Sequence, residues 1–463
     1  MDRKRAFLRN AVLMTLGSVA LRFSGLWFRT CICSWIGASG VGIYQLIFSI
    51  FSLGITACTS GIGLAVTRMV AEGKGSRRCL RGCLAFALAM SFAAGAALLA
   101  VSDFAADRLI GTPAAAAPLR LLAPGLPFIA VCACLKGYFF ANRSIVVPMV
   151  GEFWEQLATI GISYLLLTDT PLPPLPPLNA LMAGSSLGEV AACAYVVAAF
   201  HFAVRRRGFA EDGGTGHVLH DILHIAGPML TGSFLRSALF SAENLLIPAG
   251  LRKYGAGGAA ALAQYGVMQG MVMPVIFFPM SLVTSVATLL IPEIAEAAVQ
   301  GRNGTVQDSA EHAFRATLMF GFLSSAVLIV SADEIGTVFF GNAQAGNILR
   351  IMAPIAPLMY LDNMVDNMLK GLDQQMYSLK YNFSDSAMRV ALITLLIPVY
   401  GIRAYLVILF FSEIYNASLS ISRLLKVTRL NVDILGWIIF PAVSGALLYY
   451  VLALLKKAVA FFI

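Results

Sequence analysis

Charge is scarce in this chain. Asp, Glu, Lys and Arg make up 12% of its 463 residues and hydrophobic residues 59%, whereas a soluble domain carries about a quarter charged residues. Connections long enough to fold as soluble domains are also missing, because apolar runs recur from residue 10 almost to the C-terminus with short turns between them. The bilayer is therefore the solvent for the whole chain, and an extramembrane catalytic domain is excluded. The eight cysteines lack metal-site spacing and neighbouring histidines. Cys-x-Cys occurs twice, and Cys31, Cys33, Cys58, Cys132, Cys134 and Cys193 sit inside apolar runs, where cysteine acts as a small hydrophobic residue. This excludes a disulfide framework and a redox centre. The opening MDRKRAFLRN is basic, but the run behind it is too long and too rich in arginine for a signal-peptide core and offers no small-residue cleavage site. It reads as a retained first helix. The net charge of +9 comes from Lys and Arg at helix ends, the pattern that orients a membrane protein, so nucleic acid is not expected as a partner.

What is present is a series of spans. Taking about 20 apolar residues as the unit, helices fall near 10–35, 42–70, 80–102, 118–141, 146–167 and 178–203, then 219–249, 261–296, 310–332, 346–371, 377–398 and 402–424, with one more at 434–455. The expected fold class is an all-α polytopic membrane protein of thirteen helices. Alternate connections test this. DRKR, GKGSRRCLRG, ANRS, RRRG, QGRNG, LKGLDQQ and SRLLKVTR are richer in Lys and Arg than GASG, DFAADRLIGTP, TDTPLPPLPPLN, LRKYGAGG, SADEIGTVFFGN and VYG. The first set belongs in the cytoplasm, and the N-terminus with it. The odd helix count then puts Lys456 and Lys457 outside, against the rule.

The chain is also duplicated. LRLLAPGLP at 119–127 and LRIMAPIAP at 349–357 share Leu, Arg, Ala and both prolines, and each leads to a Lys-Gly pair, Lys136-Gly137 and Lys370-Gly371. GIYQL at 42–46 and AQYGV at 263–267 correspond upstream. Six helices separate the copies, an even number, so both share one membrane orientation, like the paired bundles of many transporters. The expected organisation is a six-helix lobe at 1–204, a cytoplasmic linker at 205–218 (RRRGFAEDGGTGH lies within it), a second six-helix lobe at 219–430 and an additional helix at 431–463, the two bundles enclosing a central cavity.

Four stretches carry a family resemblance: LRFSGLWFRTCICSWIGASGVGIYQLIFSI, LRLLAPGLPFIAVCACLKGYFFANRS, the long run from ENLLIPAGLRKYG to IPEIAEAA, and SDSAMRVALITLLIPVYGIRAYLVILFFSEIYNASLSISRLLK. They resemble the MATE-like superfamily of multidrug and oligosaccharidyl-lipid exporters, in its stage V sporulation protein B and polysaccharide-flippase branch, over nearly the whole chain. The resemblance implies a transporter and not an enzyme. It implies two lobes working by alternating access on a lipid-linked sugar, typically an undecaprenyl-pyrophosphate glycan, moved to the outer leaflet of a bacterial plasma membrane. Lipid II flippases of the superfamily carry an Arg-x-x-Gly in their first helix, matched here by Arg22 to Gly25. Their next arginine falls where this chain has Phe28, with Arg29 one place on. Members of the branch often have fourteen helices, against the thirteen expected here.

Arg22 and Arg29 lie on one helical face, about 10 Å apart along it. Thr15, Ser18 and Gly25 share that face. An arginine near the bilayer centre costs about 2.5 to 3.5 kcal/mol on insertion scales and commonly marks a pathway. The alternatives are that Arg29 snorkels to the surface, or that both pair with Glu152, Glu155 or Glu189. A guanidinium fork suits pyrophosphate because it donates two parallel hydrogen bonds. Gly232, Ser233, Arg236 and Glu243 form a similar stripe in the second lobe.

Cation coupling has its own candidates. Asp362, Asp366 and Lys370 follow at four-residue spacing, as do Asn363 and Asn367, and the next helix supplies Asn382, Asp385 and Arg389. Asp385 and Arg389 make a favourable helical pair, while intramembrane carboxylates are candidates for proton or sodium coupling, here Asp362 or Asp366. His217, His220 and His224 lie near one helical face; His220 and His224, four apart, could share a metal, but no third ligand of definite spacing follows and an interfacial amphipathic helix explains the pattern equally well, so no metal or other cofactor is expected, only protons, sodium or the membrane potential as energy source. Membrane lipids are expected partners, and the chain is expected to act as a monomer. The rival readings are a multidrug exporter of the same fold, a non-transporting scaffold for wall or spore assembly, and, more weakly, a membrane-embedded glycosyl- or acyltransferase.

Overall fold

The computed structural model describes residues 2–74, 77–142, 144–168, 175–207, 218–430 and 433–462, and every regular element among them is helical. In chain order these are α1 (Asp2–Thr59), α2 (Ile62–Met69), α3 (Arg77–Phe104), α4 (Ala116–Leu122), α5 (Leu126–Ala141), α6 (Val146–Thr168), α7 (Pro177–Arg207) and α8 (Val218–Lys253). They continue as α9 (Gly258–Gly266), α10 (Met273–Val299), α11 (Asn303–Val330), α12 (Ala332–Glu334), α13 (Ala343–Met352), α14 (Ala356–Gly371), α15 (Gln375–Tyr400), α16 (Ile402–Thr428) and α17 (Phe440–Phe462). Among the described residues ten helical stretches are long and apolar enough to cross a membrane. Each expected span falls on helix. The first two differ from expectation, because no loop separates them: α1 runs on through GASG and bends at Gly37 alone, at φ 64° and ψ 177°. Only glycine enters that region without strain.

The duplication is visible in backbone detail. After α3 the helix widens into a π turn at Ala105–Ile110 and ends on Gly111 at φ 76°; after α12 it widens at Ile335–Phe339 and is followed by Gly341 at φ 61°. Both copies then tighten to a 3₁₀ turn, Ala123–Gly125 before α5 and Ala353–Ile355 before α14. Each tight turn holds a proline of the LRLLAPGLP or LRIMAPIAP motif, whose missing N–H interrupts the α-helical ladder.

The chain forms two compact units, residues 1–21 with 43–245 and residues 22–42 with 246–463. These bounds cut through helices, where the sequence places lobe boundaries at the 205–218 linker, of which 208–217 lie outside the described residues. Length is the reason. With 36 residues, α8 is about 54 Å long, well beyond a hydrocarbon core of about 30 Å, so its two parts meet different neighbours. In the first unit Ser241 Oγ donates to the Ser49 carbonyl at 2.6 Å. In the second, a β-carbon on Gly42 of α1 would lie 2.1 Å from the Leu262 carbonyl oxygen of α9.

The last helix belongs to the second unit. Gly445 of α17 sits directly on Phe322 of α11, and the buried Trp437 ring lies 5.4 Å from Phe314. Lys456, on the wrong side by the charge rule, has acidic partners there: its Nζ lies 2.7 Å from Glu334 and 3.9 Å from Asp333, and it donates to the Val330 carbonyl. The end of α17 therefore lies beside the SADEIGTVFFGN connection.

Candidate functional site

Two neighbouring cavities of the second unit collect most of the charged side chains singled out above. The first, of about 330 Å³, is lined on one side by Arg22, Gly25, Leu26 and Arg29 of α1. Gln269, Met273, Pro274, Phe277 and Phe278 form its other side. Spacing of three, four and seven residues brings both guanidinium groups to one helical face, while Trp27 points away and is 56% exposed. Phe28, at the position of the flippases' second arginine, is buried against Trp35 at 6.4 Å. Arg29 thus supplies the charge that its neighbour's position does not. Gln269 sits on a π turn, Val267–Val272, and donates through Nε2 to the Tyr405 hydroxyl at 2.7 Å. That bond fixes the amide and leaves its carbonyl oxygen to accept from a ligand.

The second cavity, of about 280 Å³, is acidic. It is lined by Asp362, Asn363 and Asp366 of α14, Asn382, Asp385 and Arg389 of α15, and Ser412, Glu413 and Asn416 of α16, with Met and Phe side chains closing it. Asp366 accepts from Ser378 at 2.8 Å and Asn382 at 3.0 Å, and Asp362 accepts from Asn416 at 2.9 Å. Asp385 accepts from Ser412 and pairs with Arg389 at 3.3 Å, the helical pair expected from their spacing. Asn363 Oδ1 accepts from Thr284 at 3.0 Å. Two buried oxygens, Asp362 Oδ1 and Asn416 Oδ1, have no hydrogen-bond partner among the described residues. Four carboxyl groups face one guanidinium, a balance that draws a cation or a proton. The ligand atoms are hard oxygens, and among the described residues no three His, Cys, Asp or Glu side chains converge on a metal position. Met273 and Phe277 line both cavities, so one turn of α10 is a shared wall.

The other candidates lie elsewhere. Ser233, Arg236 and Glu243 are on the first-unit part of α8, with Arg236 exposed and Glu243 buried. The side chain of Ser18 and the whole of His217 lie outside the described residues. His220 and His224 are exposed with their rings stacked at 6.3 Å. Glu152, a proposed partner for the arginines, pairs with Lys136 at 3.4 Å within the first unit. Sequence reading missed Ser412, Glu413 and Asn416, although FFSEIYNASLS places a carboxylate and an amide three residues apart in an apolar helix, the same signal that marked α14. Gln269 carried no signal in sequence, because the π turn that aims it has none.

The comparisons with known proteins bear on the fold. The family described as lipid II flippase MurJ matches residues 176–355. Stage V sporulation protein B of Bacillus subtilis (strain 168) is 25% identical over 381 residues, which cover 80% of this chain and 74% of that protein. Among solved structures, a multidrug resistance MATE family transporter of the MOP superfamily, in its inward-facing conformation, superposes with a TM-score of 0.71 at 14% identity over 90% of this chain and 100% of that one. A MOP superfamily transporter from Pyrococcus furiosus, described for the reverse polarity of its binding pocket, gives 0.60 at 15% identity over 90% and 96%.

Fold and comparisons together define a multi-pass membrane protein with the fold of the MATE transporters. In sequence the chain is similar to the lipid II flippase MurJ family over residues 176–355 and to stage V sporulation protein B over most of its length.

Proposed function

We propose that the protein flips a lipid-linked oligosaccharide, an undecaprenyl-pyrophosphate glycan, from the cytoplasmic to the outer leaflet of a bacterial plasma membrane by alternating access. The N-terminus is cytoplasmic and the working unit a monomer. The observation that carries this reading is the convergence of Arg22 and Arg29 on one cavity. Each guanidinium fork can donate two parallel hydrogen bonds to phosphate oxygens of a pyrophosphate, an anion that a cavity built for organic cations repels. Ser18, Gly25, Ser233, Arg236 and Glu243 are the further residues assigned to the substrate. The similarity to the lipid II flippase MurJ family and to stage V sporulation protein B supports this class of cargo. The acidic cavity binds the driving cation, with Asp362 and Asp366 as its centre and Asn363, Asp385 and Arg389 around them.

The acidic cavity, with its methionine and phenylalanine walls, also favours a second reading, a cation-coupled multidrug exporter. Reconstitution into liposomes with a fluorescent undecaprenyl-pyrophosphate glycan separates the two. Flipping by the parent and its loss in folded Arg22→Ala and Arg236→Ala proteins are expected. Undiminished flipping in both variants would remove the cavity assignment, and no flipping by the parent alongside efflux of an organic cation would replace the flippase with the exporter.

A further inference from the structure

A third cavity lies in the first unit, away from both sites above. It has a volume of about 290 Å³ and is formed where α3 begins and α7 ends, by Arg77, Leu80, Arg81 and Leu84 on one side and Phe200, His201, Val204 and Arg205 on the other. Its lining contains three arginines and no carboxylate.

Polarity changes along the cavity in one direction. Arg77 opens α3, whose N-terminal end adds a positive partial charge, and Arg81 follows one turn on. Leu84 stands about 10 Å further into the helix than Arg77. On α7 the order is mirrored, with Arg205 near the end and Phe200 more than a turn deeper, held edge-on against Tyr138 at 5.0 Å. Beyond the cavity both helices expose large apolar side chains, Phe92 on α3 and Val197 on α7, of the kind that faces acyl chains. A basic head and an apolar throat between two spanning helices fit one kind of occupant, an amphiphile with an anionic phosphate.

We propose that this cavity binds an anionic phospholipid of the resident membrane, its phosphate between Arg81, Arg205 and Arg77 and the start of one acyl chain along Leu80, Leu84, Phe200 and Val204. The arginine-rich end is the side that the charge bias assigns to the cytoplasm, where anionic lipids concentrate. Bidentate guanidinium contacts select phosphate, and the apolar throat selects a lipid over free phosphate.

The test is native mass spectrometry of the purified full-length protein titrated with phosphatidylglycerol, phosphatidylcholine or inorganic phosphate. One tightly held phosphatidylglycerol is expected, not displaced by inorganic phosphate and not matched by phosphatidylcholine. In Arg81→Gln/Arg205→Gln its affinity falls roughly 25-fold, at about fivefold per arginine. Leu84→Trp, which keeps every charge and fills the throat, is expected to lose the same lipid and serves alone if the double variant does not fold. Unchanged phosphatidylglycerol binding in the folded variants, equal binding of phosphatidylcholine, or displacement by inorganic phosphate overturns the proposal.

Discussion

Arg120 donates to Asp103 at 2.6 Å from seventeen residues further along the chain, and Arg350 reaches Asp333 across the same separation. The arginine of each LRLLAPGLP-type motif therefore ties its helix back across the π turn before it, once in each unit. Both pairs are about half exposed, and exposed ion pairs contribute about 0 to 1 kcal/mol. Arg120→Met is expected to lower the melting temperature of the detergent-solubilised protein by a few degrees at most. Arg350→Met is expected to cost less, because Asp333 keeps Lys456 within 3.9 Å. A larger loss at Arg350 than at Arg120 refutes the equivalence of the two ties.

Lys456 gives stability a pH dependence. Its hydrogen bond, followed by one from the backbone, holds the Glu334 carboxyl below its ordinary value of 4.5. A carboxyl with a depressed folded value stabilises the protein above its unfolded value, and that contribution disappears as pH falls through the folded one. Lys456→Ala is thus expected to lower thermal stability slightly at pH 7 and to converge with the parent as the pH drops below 4.5. Melting curves across that range check it, and a gap that widens in acid contradicts the assignment.

Gly37 is a third point of control. Its φ and ψ lie in a region that other residues enter at a cost of about 1 to 3 kcal/mol, although open space surrounds its Cα. Gly37→Ala meets no neighbour, so any loss comes from the backbone alone. A drop in melting temperature with unchanged helical content by circular dichroism is expected, whereas Gly257→Ala, also without near neighbours but at φ −56°, is expected to be close to neutral.

Much of the fold was legible because apolar periodicity and length decide where a chain can cross a bilayer. The repeated LRLLAPGLP and LRIMAPIAP motifs mark the same local structure in both copies for a physical reason, the proline at the tight turn and the arginine at the tie. Arg22 and Arg29 were legible together because a helix fixes the angle between them. What sequence hid was tertiary. Nothing in the composition of α1 or α8 tells where such long helices pass from one unit to the other. Asn416 was overlooked because its partners, Asp362 and Asn382, come from other helices, Glu413 because the cavity it lines is built from three helices, and Gln269 because its direction is set by a π turn and by Tyr405.

The shared wall of α10 yields the last prediction. Met273 and Phe277 line both the carboxylate cavity and the arginine cavity, so movement of that turn is a direct route by which a cation taken up between Asp362 and Asp366 would alter the arginine side. Pro274 and Pro279 weaken the ladder of α10 around it, where bending costs least. Asp362→Asn/Asp366→Asn is expected to abolish both cation binding and the dependence of flipping on an imposed ion gradient. Phe277→Ala is expected to leave cation binding intact and still remove that dependence, since coupled sites change each other's affinity about fivefold or more through such an element. Paired measurements, calorimetry for the cation and liposome flipping with and without a gradient, distinguish the two. If Phe277→Ala flips with full gradient dependence, coupling passes elsewhere; if the aspartate variant does so, the acidic cavity is not the cation site.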